Sequence, residues 1–167
     1  MLKIFIICTA NVCRSPLGEA ILKKLVTEEN LSSLVKVESY GIWAMDGQEP
    51  SDLAKQVAEE NHLDLSHHRS CSLIPEKIIH ADLILCMALE HKEHLQRFFP
   101  TIKNRIYTLK EFAQKEKKIS YTIDDPIGMT LNFYRRIFRE IETEMKRILP
   151  TIKEFALKKA KMGKDST

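Results

Sequence analysis

Long hydrophobic runs are missing from this chain of 167 residues; the apolar stretch near its start, Ile4 to Ile7, follows Leu2 and is interrupted by Lys3. A bilayer-spanning helix needs about 20 apolar residues, and a secretory signal needs an apolar core and a small-residue cleavage site. Neither is present, so the expected location is cytoplasmic with no stable membrane association. Cysteine is scarce as well. The four, at positions 8, 13, 71 and 86, show no repeated metal-ligand spacing, which argues against a disulfide framework. His62, His67 and His68 lack Cys or carboxylate companions at ligand spacing, so no metal and no cofactor is expected. Nor does one sign of charge dominate: 26 Lys and Arg stand against 23 Asp and Glu. Residues 151–167 hold five lysines against Glu154 and Asp165, leaving the first 150 residues neutral. Polyanion binding by the body, and hence a nucleic-acid partner, is not expected; the terminal lysines read as a solvated face.

What is present is an ordinary globular composition, 44% hydrophobic and 29% charged, of a size for one core. Short β-branched runs alternate with longer segments at helical spacing, the pattern of βα units in a parallel sheet. Strands are expected at 2–8, 35–40, 81–87 and 105–109. Helices are expected at 15–29, 51–61, 89–98 and 130–159, the last bent near Pro150. Residues 1–160 would form the domain and 161–167 a frayed basic tail. Gly and Pro fall between elements, and in an open parallel sheet ligands sit beyond the carboxyl ends of the strands.

At the first such position the sequence reads Cys8-Thr9-Ala10-Asn11-Val12-Cys13-Arg14-Ser15-Pro16, with Ser15 expected as a helix cap and Pro16 in the first turn. A loop of this length returning to a helix N-terminus aims several backbone N–H groups at one anion. Arg14 forks two donors onto phosphate-type oxygens, and its charge with the helix terminus favours the thiolate of Cys8. Read alone, Cys8 would be a small buried hydrophobe. Followed at the right distance by Arg and Ser, it forms a pattern that chance supplies only about 0.02 times in such a composition. Asn11 tolerates positive φ and Ser15 offers a hydroxyl to the sulfur. Trp43, the only tryptophan, is placed to wall a substrate cleft.

This run, followed by Glu19, resembles the signature of the low-molecular-weight protein tyrosine phosphatases. The later landmarks keep family order: Ser39 to Pro50 with Trp43, Ser66-His67-His68-Arg69, the segment 81–87, and Asp124-Asp125-Pro126. The resemblance implies a three-layer α/β sandwich with a four-stranded parallel sheet and a phosphate-binding loop after the first strand. It also implies phosphomonoester hydrolysis through a cysteinyl-phosphate without metal. Residues Thr9 to Ser15 would bind the phosphate, and Asp125 would act as general acid and then base. Asp124 would help keep that acid protonated by like-charge repulsion. Asn11, Ser15 and His68 would support the loop. The expected partner is a phosphotyrosine-bearing protein or a small aryl phosphate, and the expected state a monomer or weak dimer.

The sequence departs from the family pattern in three places. Ala10 stands where Gly is usual, suggesting a strained or shifted loop. Ile127 and Gly128 replace aromatic residues after the Asp-Pro pair, so the wall opposite Trp43 rests on Ile127. Cys71 takes the place of a second arginine. Three other functions compete. Arginine phosphatases share the Cys-Thr opening but tend to carry Thr where Val12 stands. Thiol-dependent arsenate reductases need relay cysteines, and none follows Cys86. A non-enzymatic phosphate-binding module would have no use for Arg14 with Asp125. Finally, Cys13 is expected as a redox partner that traps a Cys8 sulfenic acid as a disulfide.

Overall fold

A computed structural model describes residues 1–164. The near-continuous apolar run Leu2–Cys8 forms β1, buried on both faces, as a central parallel strand requires. It is flanked by β2 (Val35–Gly41) and β3 (Leu83–Cys86), with β4 (Ile106–Thr108) outermost in the order β2-β1-β3-β4, all parallel. The period-two alternation of side chains sorts the core into two layers. Ile4, Ile6 and Cys8 face helices α1 (Arg14–Glu28), α2 (Asp52–Glu60) and α5 (Leu131–Lys164). Phe5 and Ile7 face the short α3 (Pro75–Ile78), α4 (Leu89–Phe98) and a 3-10 turn at Pro100–Arg105. The result is the expected three-layer α/β sandwich.

From β1 the chain goes to one neighbour, β2, and later returns to the other, β3. The crevice where the strand order reverses lies at the carboxyl end of β1, beside Cys8.

Element boundaries depart from expectation where backbone pairing, not composition, decides them. The third strand spans Leu83–Cys86, although Asp82 N–H still bonds Lys3 O and Met87 N–H bonds Ile7 O. Helix α1 begins earlier than foreseen: Cys13 is the N-cap residue, with no side chain capping it. Ser15 is therefore not the cap, because its hydroxyl is turned to Cys8 instead. The last helix continues through Pro150 to Lys164, so the first four residues of the expected tail are helical; 165–167 lie outside the described residues. Arg147 fastens α5 to the turn after β4 through the carbonyls of Leu109, Lys110 and Phe112. No helix among the described residues is long and apolar enough to cross a membrane.

Candidate active site

The loop from Cys8 to Ser15 is closed from inside by Asn11. Asn11 is the loop's positive-φ residue, at 57°, and asparagine accepts that region at lower cost than most residues. Its amide is fully buried and fully used: Nδ2 donates to Ser15 Oγ at 2.8 Å and Ser39 Oγ at 2.9 Å, and Oδ1 accepts Cys71 N–H at 2.9 Å. Its carbonyl accepts His68 Nε2–H at 3.0 Å. Ser39 in turn donates to the carboxylate of Glu19, which is also paired with Lys23. A buried network with every member satisfied fixes one loop geometry. Ala10 does not take positive φ, so the strain expected from alanine there does not arise; the demanding conformation belongs to Asn11.

Neighbouring strands and helices hold the loop from outside. Ile42 N–H bonds Cys8 O and Trp43 N–H bonds Thr9 O, each at 3.0 Å, carrying the β2 pairing past the end of β1. Gly41 permits this approach, since a Cβ there would stand 2.7 Å from Thr9 O. Ser51, the cap of α2, donates its N–H to Val12 O at 2.9 Å.

Cys8 and Arg14 line the same small mouth, both about 3% exposed. Cys8 Sγ lies 2.9 Å from Ser15 Oγ. Because Asn11 already donates to that oxygen, the Ser15 hydrogen is free to point at the sulfur. Arg14 is anchored by Nη1 to Ile123 O at 2.9 Å, and its Nη2 reaches Thr9 Oγ1 at 3.4 Å and Asp125 Oδ2 at 3.3 Å. Asp125 arrives over the loop because Ile123, fully buried, bonds Met87 O at 2.7 Å and extends the end of β3. Half exposed, Asp125 also accepts Ile127 N–H at 3.1 Å. Asp124, its neighbour, pairs with Arg136 at 3.5 Å.

The mouth is lined by Cys8, Thr9, Ala10, Val12, Cys13, Arg14, Asp125 and Ile127. Cys13 turns its thiol inward to Ser51 Oγ at 3.2 Å and Tyr134 OH at 3.4 Å; burial pushes that thiol up from its ordinary value. Trp43 is 63% exposed, its ring 5.2 Å from that of His94, which lies 4.7 Å from Phe98. Cys86 is fully buried in the other layer, where burial raises its thiol strongly. A larger cavity of about 440 Å³ lies behind the loop, beside Ser39 and His68. It contains neither Cys8 nor Arg14, which line the smaller mouth. Among the described residues no group of three or more His, Cys, Asp or Glu could hold a metal ion.

The structure thus brings together Cys8, Arg14, Asp125, Asn11, Ser15 and His68. Trp43 is not among the residues that line the narrow mouth; its ring meets His94 instead. Sequence reasoning missed the structural part of Glu19, the ring partners His94 and Phe98 beside Trp43, and His91. His91 is fully buried, with Nε2 2.9 Å from Thr9 Oγ1. A signal for it existed: it falls in the first turn of the helix after β3, at the same ligand-binding edge of the sheet.

The chain resembles known proteins over most of its length. Residues 3–161 match the model of the low molecular weight phosphotyrosine protein phosphatases. The chain is 35% identical over 146 residues to a protein-arginine-phosphatase of Geobacillus stearothermophilus, covering 87% of this chain and 93% of that one. It is 31% identical over 140 residues to the low molecular weight protein-tyrosine-phosphatase PtpB of Staphylococcus aureus, covering 84% and 91%. Among solved structures, the Geobacillus stearothermophilus arginine phosphatase YwlE superposes with a TM-score of 0.83 at 33% identity, over 95% of this chain and 97% of that one.

Proposed function

The chain belongs to the low molecular weight phosphotyrosine protein phosphatase family, whose members are cysteine-dependent phosphatases, and from that premise we propose that it hydrolyses phosphotyrosine on proteins, with Cys8 as nucleophile. The phosphate dianion enters the loop, takes its backbone N–H groups and draws Arg14 from Asp125 onto two of its own oxygens. Beside that dianion Asp125 fits as the protonated acid. The Cys8 thiolate attacks phosphorus and the P–O bond to the ring breaks. Asp125 then delivers its proton to the departing phenolate oxygen. In the second half Asp125, now a carboxylate, takes a proton from water; the water oxygen attacks phosphorus and the S–P bond breaks, returning the Cys8 thiolate and free phosphate.

The observation that carries the tyrosine reading is the lining of the mouth: Val12, Ala10 and Ile127 offer apolar surface, and Asp125 is its one carboxylate. An aryl ring is satisfied by that wall, with Trp43 available beyond it. A guanidinium leaving group needs several acceptors, and Val12 supplies no side-chain oxygen. The arginine reading is favoured by the identity to the Geobacillus enzyme. A cytoplasmic location, a monomer or weak dimer, and a single domain over 1–160 complete the proposal.

Purified protein assayed on matched phosphotyrosine, phosphoarginine and phosphoserine peptides tests it. The expected outcome is the highest kcat/KM on phosphotyrosine; a preference for phosphoarginine assigns the other substrate class. Cys8→Ser should abolish turnover while vanadate still binds, since the anion donors remain. Retention of a tenth of the activity would remove Cys8 as nucleophile.

A further inference from the structure

His91 sits at the third position of α4 and is fully buried within reach of the loop. Its ring has two fixed neighbours. Nδ1 accepts the backbone N–H of Ala88 at 3.1 Å, and Nε2 lies 2.9 Å from Thr9 Oγ1. An amide N–H can only donate, so Nδ1 carries no hydrogen and the single proton of the neutral ring is on Nε2. Nε2–H therefore donates to Thr9 Oγ1. The same oxygen receives Arg14 Nη2 at 3.4 Å, so both of its lone pairs are occupied. The hydroxyl hydrogen of Thr9 has no place in either contact and remains available as a donor, on a residue that lines the mouth.

We propose that His91 is a positioning residue that fixes Thr9 as a side-chain hydrogen-bond donor to an oxygen of the bound phosphoryl group, adding one hydroxyl to the backbone donors of the loop. Without His91, Thr9 Oγ1 is free to rotate and to donate elsewhere, and the contribution is lost. The ring's surroundings keep it neutral. Burial, then the nearby Arg14 charge, lowers His91 to about 4, with His94 acting in the same direction and Asp125 opposing. The Glu90 carboxylate stands 3.7 Å from Nε2, beyond hydrogen-bond distance, and is largely in solvent. Capping of α4 is the structural part of the same ring and involves Nδ1 alone, so the two parts are separable.

The proposal rests on the 8–15 loop being the phosphoryl site, which the Cys8→Ser experiment tests by itself. Four variants, Thr9→Val, His91→Leu, His91→Gln and the double Thr9→Val/His91→Leu, would be compared for kcat, KM and vanadate affinity. Thr9→Val and His91→Leu should each lower kcat/KM by about tenfold and weaken vanadate binding, the size of one hydrogen bond to a charged group. The double variant should be no worse than either single one. His91→Gln, whose amide can accept from Ala88 and donate to Thr9, should recover most of the loss. In the parent protein, the side-chain nitrogen spectrum of His91 should show the Nε2–H tautomer, unchanged between pH 5.5 and 8. Losses that multiply in the double variant, or an Nδ1–H tautomer, would overturn the proposal whatever Cys8→Ser does. If Cys8→Ser instead retains turnover, the loop assignment itself fails.

Discussion

At the level of single residues, Arg14 has two different tasks. Nη1 is committed to the carbonyl of Ile123, and Nη2 bridges Thr9 and Asp125. Arg14→Lys should therefore lower kcat/KM by more than a hundredfold, because an ammonium cannot both hold that carbonyl and fork onto an oxyanion. Asp125→Asn should slow phosphotyrosine peptides far more than an aryl phosphate with a good leaving group, since protonation matters most for a poor one; equal losses on both would count against Asp125 as the acid. Cys13 is held by Ser51 and Tyr134 and is raised by burial, which leaves it a thiol at neutral pH. Oxidation should then fall first on Cys8, with Cys13 condensing onto the sulfenic acid. Peroxide-treated protein should show a Cys8–Cys13 bridge by mass spectrometry, and Cys13→Ala should lose recovery by dithiol; full recovery in that variant would deny Cys13 any protective part.

Between elements, the end of β2 and the loop after β1 pack so closely that only glycine fits at position 41. A methyl group there would stand 2.7 Å from the backbone oxygen of Thr9 and 3.0 Å from the carbonyl carbon of Ala10. Backbone cannot yield as a flexible side chain does. Gly41→Ala should cost about 1–3 kcal/mol in urea unfolding and lower activity by displacing the loop. Gly18 gives the contrast. A methyl group there meets first the terminal carbon of Met87, 2.6 Å away, and a methionine end can move. Gly18→Ala should therefore be milder on both counts, aided by the better helix propensity of alanine.

For the whole molecule, acid stability follows from the buried ring of His91, whose folded value of about 4 lies below the ordinary 6.5 of histidine. Between those two values the unfolded chain binds the proton and the folded chain does not, so stability is lost as pH falls from about 6.5 toward 4. The contribution is on the order of 2–3 kcal/mol. Urea unfolding at pH 7 and pH 4.5 should show a drop of that order in the parent and a smaller one in His91→Gln; an equal drop in both would assign the acid sensitivity elsewhere.

Several features are legible without any tertiary contact. The buried run 2–8, the alternation of strands and helices, and the Cys8-to-Ser15 loop at the carboxyl edge are local or periodic properties of the sequence, and the structure realises them with boundary shifts of a few residues. Cys8 and Arg14 were legible because one short loop contains both. Tertiary structure decided what depends on distant segments meeting. Asn11 closes the loop by joining Ser15, Ser39, Cys71 and His68. Asp125 reaches Arg14 only because Ile123 is bonded to the end of β3. His91 touches Thr9 across 82 positions of sequence. No spacing rule reports such contacts, because their geometry is set by the order of strands in the sheet and the crevice that order opens beside β1.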